Sequence, residues 1–505
     1  MIDAFYSLSD INQRFNRLAL DSLYIRHLDM TTITNMNSLY NQISSIDPQL
    51  LSRICQKILP RIHHEVYKLT VEQDSMNQIL LAANYPRLYS LSLINFEEEI
   101  IYQYLTDNLV LRDLLTKQIT HLNIDIRKPV DHWSDTLLNI IALILSLCKI
   151  LTVLNFGDMF ITRKFKIPFF FLSSEISMSS TLMKLTINVL NFADCRCVVD
   201  GRFPCLSTLI INVDNVLDPM GDIGETKKLP KLKSFSFTSF FLTFNYDTLI
   251  VPLLCQMINL EELKLYLHVG RSNSTFIDGI QLYDQFLIHM TQLKKFTFNI
   301  KTTAFKNKNN TRVELPSNED IQHSFIGRGY QQVVPYVDTK SSAWDGECHI
   351  YSLPYDFEYF VNLDNSFQGG MFHKVRKLTI CGRDPLEYKL FQIIFHDFPF
   401  LNLLYISNRY PIKDKQYSSK LITFPYLTFL DLQYTHVDYI ELFLLKKNTY
   451  LPRLLNLCME YKSLTMITNN FTNNPTHFNF GKLKSLDICE SFVRPENFHE
   501  YFPLL

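Results

Sequence analysis

Apolar positions recur along this chain as a triplet of the form L-x-x-L-x-L, and in the fullest copies a proline stands two residues ahead of the first member. Pro425, Leu427, Leu430 and Leu432 make one such copy. Others are Pro86/Leu88/Leu91/Leu93, Pro204/Leu206/Leu209/Ile211, Pro230/Leu232/Phe235/Phe237, Pro399/Leu401/Leu404/Ile406 and Pro452/Leu454/Leu457/Met459. Triplets such as Ile119/Leu122/Ile124, Leu151/Leu154/Phe156, Leu260/Leu263/Leu265 and Leu483/Leu486/Ile488 lack the proline. From Leu88 to Leu293, and again from Val375 onward, the copies follow one another at 24 to 33 residues. The last two apolar members lie two apart and share one face of a strand, while the residues between them point the other way. A leading proline suits the start of a strand, where a missing backbone donor costs least. Between triplets, segments such as 247–257 and 438–447 carry Leu and Ile at near-helical spacing and predict a helical layer.

A strand-then-helix unit at this period resembles the leucine-rich repeat, whose units stack so that each buries its neighbour's apolar face. The resemblance implies an α/β fold: a leucine-rich-repeat solenoid, a horseshoe with a parallel concave β-sheet and outer helices. The repeats are expected over 23–300, irregular at first, and over 371–505 with a carboxy-terminal cap. Residues projected onto the concave face include Lys264, Tyr266, Lys295, Asn299, Tyr405, Phe429, Asp431, Gln433 and Glu460. Mixed charge with interspersed aromatics suits recognition of a protein.

Residues 1–22 do not follow the period. Ile11, Phe15 and Leu18, with Phe5 and Leu8 ahead of them, resemble the second half of an F-box. The opening L-P-x-E segment of that family has no counterpart and is expected either upstream or lost. The pairing of the two resemblances implies a substrate-recognition subunit of a cullin-RING (SCF-type) ubiquitin ligase. Phe5, Leu8, Ile11, Phe15 and Leu18 would then face the ligase adaptor, and the horseshoe would hold an unknown protein substrate. The alternative is a leucine-rich-repeat scaffold without ligase coupling, with residues 4–20 as an amphipathic cap.

Composition changes this picture little. Lys and Arg (49) nearly balance Asp and Glu (50), so bulk electrostatics attracts neither nucleic acid nor an anionic membrane. The apolar run 137–148 is too short to span a bilayer and reads as a buried helix. No secretory signal opens the chain, which predicts an intracellular, cytoplasmic or nuclear protein with reduced thiols. Within an insertion at 301–370, residues 301–320 read as a mobile polar loop. The apolar runs 333–337 and 348–355, around a turn containing Asp345 and Gly346, read as a hairpin or a distorted repeat.

Candidate chemistry is sparse. No phosphate-loop, dinucleotide, nucleophile-elbow or metalloprotease motif occurs, and 13 glycines leave little material for phosphate-cradling turns. His63 and His64 would point to opposite faces of a strand and chelate poorly. Cys195, Cys197 and Cys205 lack the paired C-x-x-C spacing of zinc sites. The expectation is therefore a non-enzymatic protein with no catalytic residue, cofactor or metal. One departure from the repeat pattern is Arg409, at a position where the family usually places Asn or Cys.

Overall fold

A computed structural model describes residues 25–31, 46–127, 135–156, 166–172, 178–217, 229–272, 276–305, 315–330, 332–338, 346–382, 384–414, 421–488 and 490–505. The chain forms two compact units, residues 1–313 and 314–505. In the first, strands β1 (His27–Met30), β2 (Lys68–Glu72), β3 (Ser90–Glu97), β4 (His121–Arg127) and β5 (Val153–Asn155) lie side by side in chain order. They are followed by β6 (Lys184–Asn191), β7 (Thr208–Asn215), β8 (Ser234–Thr243), β9 (Glu262–Arg271) and β10 (Lys295–Ala304), and each strand pairs parallel with the next.

The triplets set this register. Leu69, Leu91, Leu122, Leu154, Leu185, Leu209, Phe235 and Leu263 stand opposite one another across eight strands, none more than 2% exposed. A slip of one residue would turn this whole row out of the core.

The recurrent proline acts one step earlier than the strand. Leu88 N–H donates to Tyr85 O (3.2 Å), and the same i to i+3 bond closes 203–206, 398–401, 424–427 and 451–454. Pro86, Pro204, Pro399, Pro425 and Pro452 therefore occupy the second position of a β-turn, where a fixed φ near −65° is already correct. The residue before each proline (Tyr85, Phe203, Phe398, Phe424, Leu451) is at most 4% exposed, so the turn pins an apolar anchor beneath the strand.

The helices are irregular for a reason visible in the chain. A π-helical turn at Ile54–Ile58 runs into the helix Leu59–Ile62, which contains Pro60, and another at Tyr246–Ile250 runs into Val251–Cys255, which contains Pro252. A proline inside a helix removes one donor and collides with the carbonyl four residues back, and widening the preceding turn relieves both. The apolar run 137–148 lies on the helix Asp135–Leu147, which buries Leu137, Ile140, Ile141, Ile144 and Leu145. Among the described residues no helix is long and apolar enough to cross a membrane.

The second unit begins with the helix Asn318–Ser324 and an antiparallel pair, β11 (Gln332–Asp338) and β12 (Gly346–Leu353). Its main sheet holds β13 (Tyr359–Leu363), β14 (Lys377–Cys381), β15 (Leu403–Asn408), β17 (Phe429–Thr435), β19 (Asn456–Met459) and β20 (Ser485–Ile488), all parallel. The short strands β16 (Ile422–Thr423) and β18 (Thr449–Tyr450) pair separately.

This architecture corrects the expected horseshoe. The sheets are separate and open, parallel ladders coexist with an antiparallel pair, and the sheets do not curl as a solenoid's must. The fold is a mixed α/β arrangement with irregular helices. The physical reason is that L-x-x-L-x-L is the pattern of any parallel strand buried on one face. It dictates pairing and facing, and carries no information on curvature or on where a sheet stops.

At the far end of the first unit, Glu261 is held by Lys233 (2.7 Å) and Lys294 (2.7 Å) on neighbouring strand starts. Hydrogen bonds from the two ammonium groups, and then their charge, hold its carboxyl down at about 2. Because the folded value is depressed, this contribution is complete above the ordinary glutamate range and fades as pH falls from about 4.3 toward about 2. Carboxyl-resolved NMR titration of Glu261 should give a midpoint near 2, and the Lys233→Met/Lys294→Met variant one near about 4.3. An unshifted parent would refute the ladder.

Candidate functional site

Three successive parallel strands of the second unit, β15, β17 and β19, end at one edge, and the chain turns there into helices. Residues of these turns line a cleft of about 300 Å³: Arg409, Tyr434, Thr435, His436, Val437, Glu460, Lys462, Ser463 and Met466. The carboxyl edge of a parallel sheet is where following helices present their positive ends, and open α/β sheets bind ligands there.

Local rules place each group. Asn408, 2% exposed, closes the turn after β15: its side-chain amide donates to Gly382 O (3.2 Å) and Asp384 O (2.8 Å), and its Oδ1 accepts from Tyr410 N (2.9 Å). Its backbone carbonyl accepts from His436 N (2.8 Å), so one residue fixes both the Arg409 turn and the His436 turn. His436 Nδ1 accepts from Asp438 N (3.3 Å) and thereby caps the helix Val437–Leu444. The Asp438 carboxylate lies 3.5 Å from the same nitrogen.

Glu490 Oε1 accepts from Tyr461 N (2.9 Å) and Lys462 N (3.3 Å), capping the helix Tyr461–Thr468 from a distant loop. Both helix starts are thus already satisfied, which leaves Arg409 and Lys462 as the cations a ligand would meet. Arg409 lies over the Tyr434 ring (5.8 Å), and Tyr434 and Met466 are half or more exposed, giving the cleft an apolar wall.

Of the residues projected from the sequence onto a concave face, Glu460 alone lines this cleft. Lys264, Tyr266, Lys295 and Asn299 belong to the first unit, where Tyr266 (5% exposed) packs on Phe240 and Asn299 (1%) stands opposite it. In the second unit Tyr405 packs on Phe429, which is 1% exposed, and Asp431 (5%) accepts from Gln433 N (2.9 Å). Tyr266, Asn299, Phe429 and Asp431 are therefore buried parts of the structure, not solvent-facing anchors. Phe5, Leu8, Ile11, Phe15 and Leu18 lie outside the described residues.

Arg409, Tyr434, His436, Lys462, Ser463 and Met466 were not projected. A signal for three of them existed: Arg409, His436 and Lys462 stand eight or nine residues after Leu401, Leu427 and Leu454, just past each strand.

The remaining sequence candidates resolve into structure. His63, His64 and Glu65 form a 3-10 turn, not a strand: His63 Nδ1 bonds Asn84 O and Glu65 pairs with Arg87 (3.2 Å). Cys195 is fully buried, and burial pushes its thiol up; Cys148 is pushed up to about 12 by the same cause. Among the described residues no group of three His, Cys, Asp or Glu side chains could hold a metal.

No family model matches this chain, and no curated protein matches it. The leucine-rich-repeat and F-box resemblances therefore do not stand. With them go the substrate-receptor role in a cullin-RING ligase, the leucine-rich-repeat scaffold alternative, and the partners derived from them, a ligase adaptor and an unknown protein substrate. A short apolar spacing such as Ile11/Phe15/Leu18 recurs in many amphipathic segments, which is why it identified nothing.

Proposed function

We propose that the second unit is a non-catalytic binding module for a small organic anion with an apolar body. The observation that carries this is the convergence of Arg409 and Lys462 on a cleft walled by Tyr434 and Met466. A volume of about 300 Å³ is at the lower end of ligand pockets and suits a ring or short chain bearing one carboxylate or phosphate. Arg409 offers a planar fork of donors that matches such a group, and its stacking on Tyr434 orients that fork. Binding is favoured over catalysis because His436 spends its Nδ1 lone pair on the Asp438 backbone and does not offer it as a general base. Buried cysteines outside any disulfide, such as Cys148 and Cys195, support an intracellular setting.

Isothermal titration of the full chain with phenyl phosphate, benzoate and inorganic phosphate tests this. The aromatic anions should bind with a Kd below about 1 mM, and Arg409→Ala and Lys462→Ala should each weaken them about 10-fold, the loss of one charged hydrogen bond. Inorganic phosphate binding as tightly as phenyl phosphate would remove the apolar half of the proposal. Affinity unchanged in both variants would remove the site.

A further inference from the structure

The first residues of the early strands form a row without a carboxylate. His27, Lys68, Ser90, His121, Val153 and Lys184 stand opposite one another across β1 to β6. At about 4.8 Å per strand, Lys68 and Lys184 lie roughly 19 Å apart with His121 midway. Burial, and then the charges of those two lysines, hold the His121 imidazole below the usual histidine range, a sign of the local positive field.

Rings run alongside this row. Tyr67 contacts Tyr89 edge-on (6.4 Å), and Tyr89 contacts His121 (5.2 Å). Arg26 and Arg87 lie over the Tyr67 ring at 5.7 and 5.9 Å, and both tyrosines remain half-buried. Among the described residues Glu65 offsets Arg87, and Arg26, Lys68 and Lys184 outnumber Asp29, the exposed carboxylate on the same face of β1.

Two residues further along the strands, Asn123 and Asn155 face each other on the side opposite the apolar triplets. Their Oδ1 atoms are buried, so this second row offers a ligand no acceptor at the surface. Cations at intervals would suit any polyanion. Rings set among the cations suit nucleobases and not sulfated sugars or lipid headgroups.

We propose that this face of the first unit binds single-stranded nucleic acid, with phosphates on Lys68, Lys184 and Arg26 and bases against Tyr67 and Tyr89. The near-zero net charge, from which the sequence predicts no affinity for nucleic acid, is an average over the whole chain and does not describe this row of strand starts. The site is independent of the cleft in the second unit.

Fluorescence anisotropy of the full chain with labelled 12-nucleotide oligo(A) and oligo(U) at 50 mM salt is the test. A Kd of about 1–100 µM is expected, with log affinity falling against log salt at a slope of about −2 for three phosphate contacts. Lys68→Glu/Lys184→Glu should weaken binding at least about 10-fold, and Tyr89→Leu about 5-fold, with circular dichroism and melting unchanged. No binding at 100 µM protein would overturn the proposal, as would full affinity in the charge-reversed variant. Heparin, duplex DNA or phosphatidylserine vesicles bound as tightly as the single strands would show a generic polyanion surface and overturn it equally.

Discussion

Phe372→Ala should destabilise the second unit by about 3–5 kcal/mol, the cost of emptying a closed aromatic core. The ring is fully buried and is stacked on Phe398 at 4.7 Å. It also touches Tyr351 (5.9 Å), Tyr355 (5.0 Å), Phe360 (5.6 Å) and Phe367 (5.4 Å), so elements from the antiparallel pair to the second parallel strand meet on it. Rigid neighbouring rings cannot collapse into the space, which places the cost at the upper end of large-to-small substitutions. Phe372 also opens the turn to Val375 (Val375 N to Phe372 O, 3.1 Å), a bond the substitution leaves intact. Urea unfolding followed by tyrosine fluorescence measures the loss, and Phe372→Leu should recover more than half of it. A cost under about 1 kcal/mol would mean that the ring cluster is not a core.

The second large effect is expected at Asn479, 6% exposed in the loop ahead of β20. Its side-chain amide donates to Phe443 O (3.0 Å) and Thr449 O (2.7 Å), and its Oδ1 accepts from Leu451 N (3.4 Å). A single side chain thus ties the last turn of the helix Val437–Leu444 to the chain leading into β19. Alanine removes both donors from buried carbonyls, and about 1–3 kcal/mol for each stranded group gives roughly 2–6 kcal/mol in total. Asn479→Asp should cost at least as much, since a carboxylate cannot donate and buries a charge. The check is equilibrium unfolding, combined with hydrogen exchange at 443–451. Protection unchanged in the alanine variant would show that the helix end is held by other means.

Much of the strand layer was legible in the residues themselves. Leu88, Leu91 and Leu93, and their counterparts in each copy, occupy the buried face because only an alternating apolar pair fits a strand with one buried side. The prolines were legible as punctuation but misplaced by one function: Pro86 and Pro425 set a turn and do not begin a strand. Pro60 and Pro252 could have announced the widened helical turns. Phe429 and Asp431 could not have been placed correctly, because alternation assigns them to the opposite face and says nothing of what covers that face.

The sequence by itself determined which side chains line the buried face of each strand, where each strand is preceded by a turn, and which helices are interrupted by proline. These depend on neighbours a few residues away and on steric rules that hold in any fold. Only the tertiary structure decided that the sheets are separate and open, that Arg409 and Lys462 meet at one cleft, and that Lys68, His121 and Lys184 fall in one row. Those outcomes depend on register between strands far apart in the chain, and a local apolar pattern is satisfied equally by many such registers and curvatures.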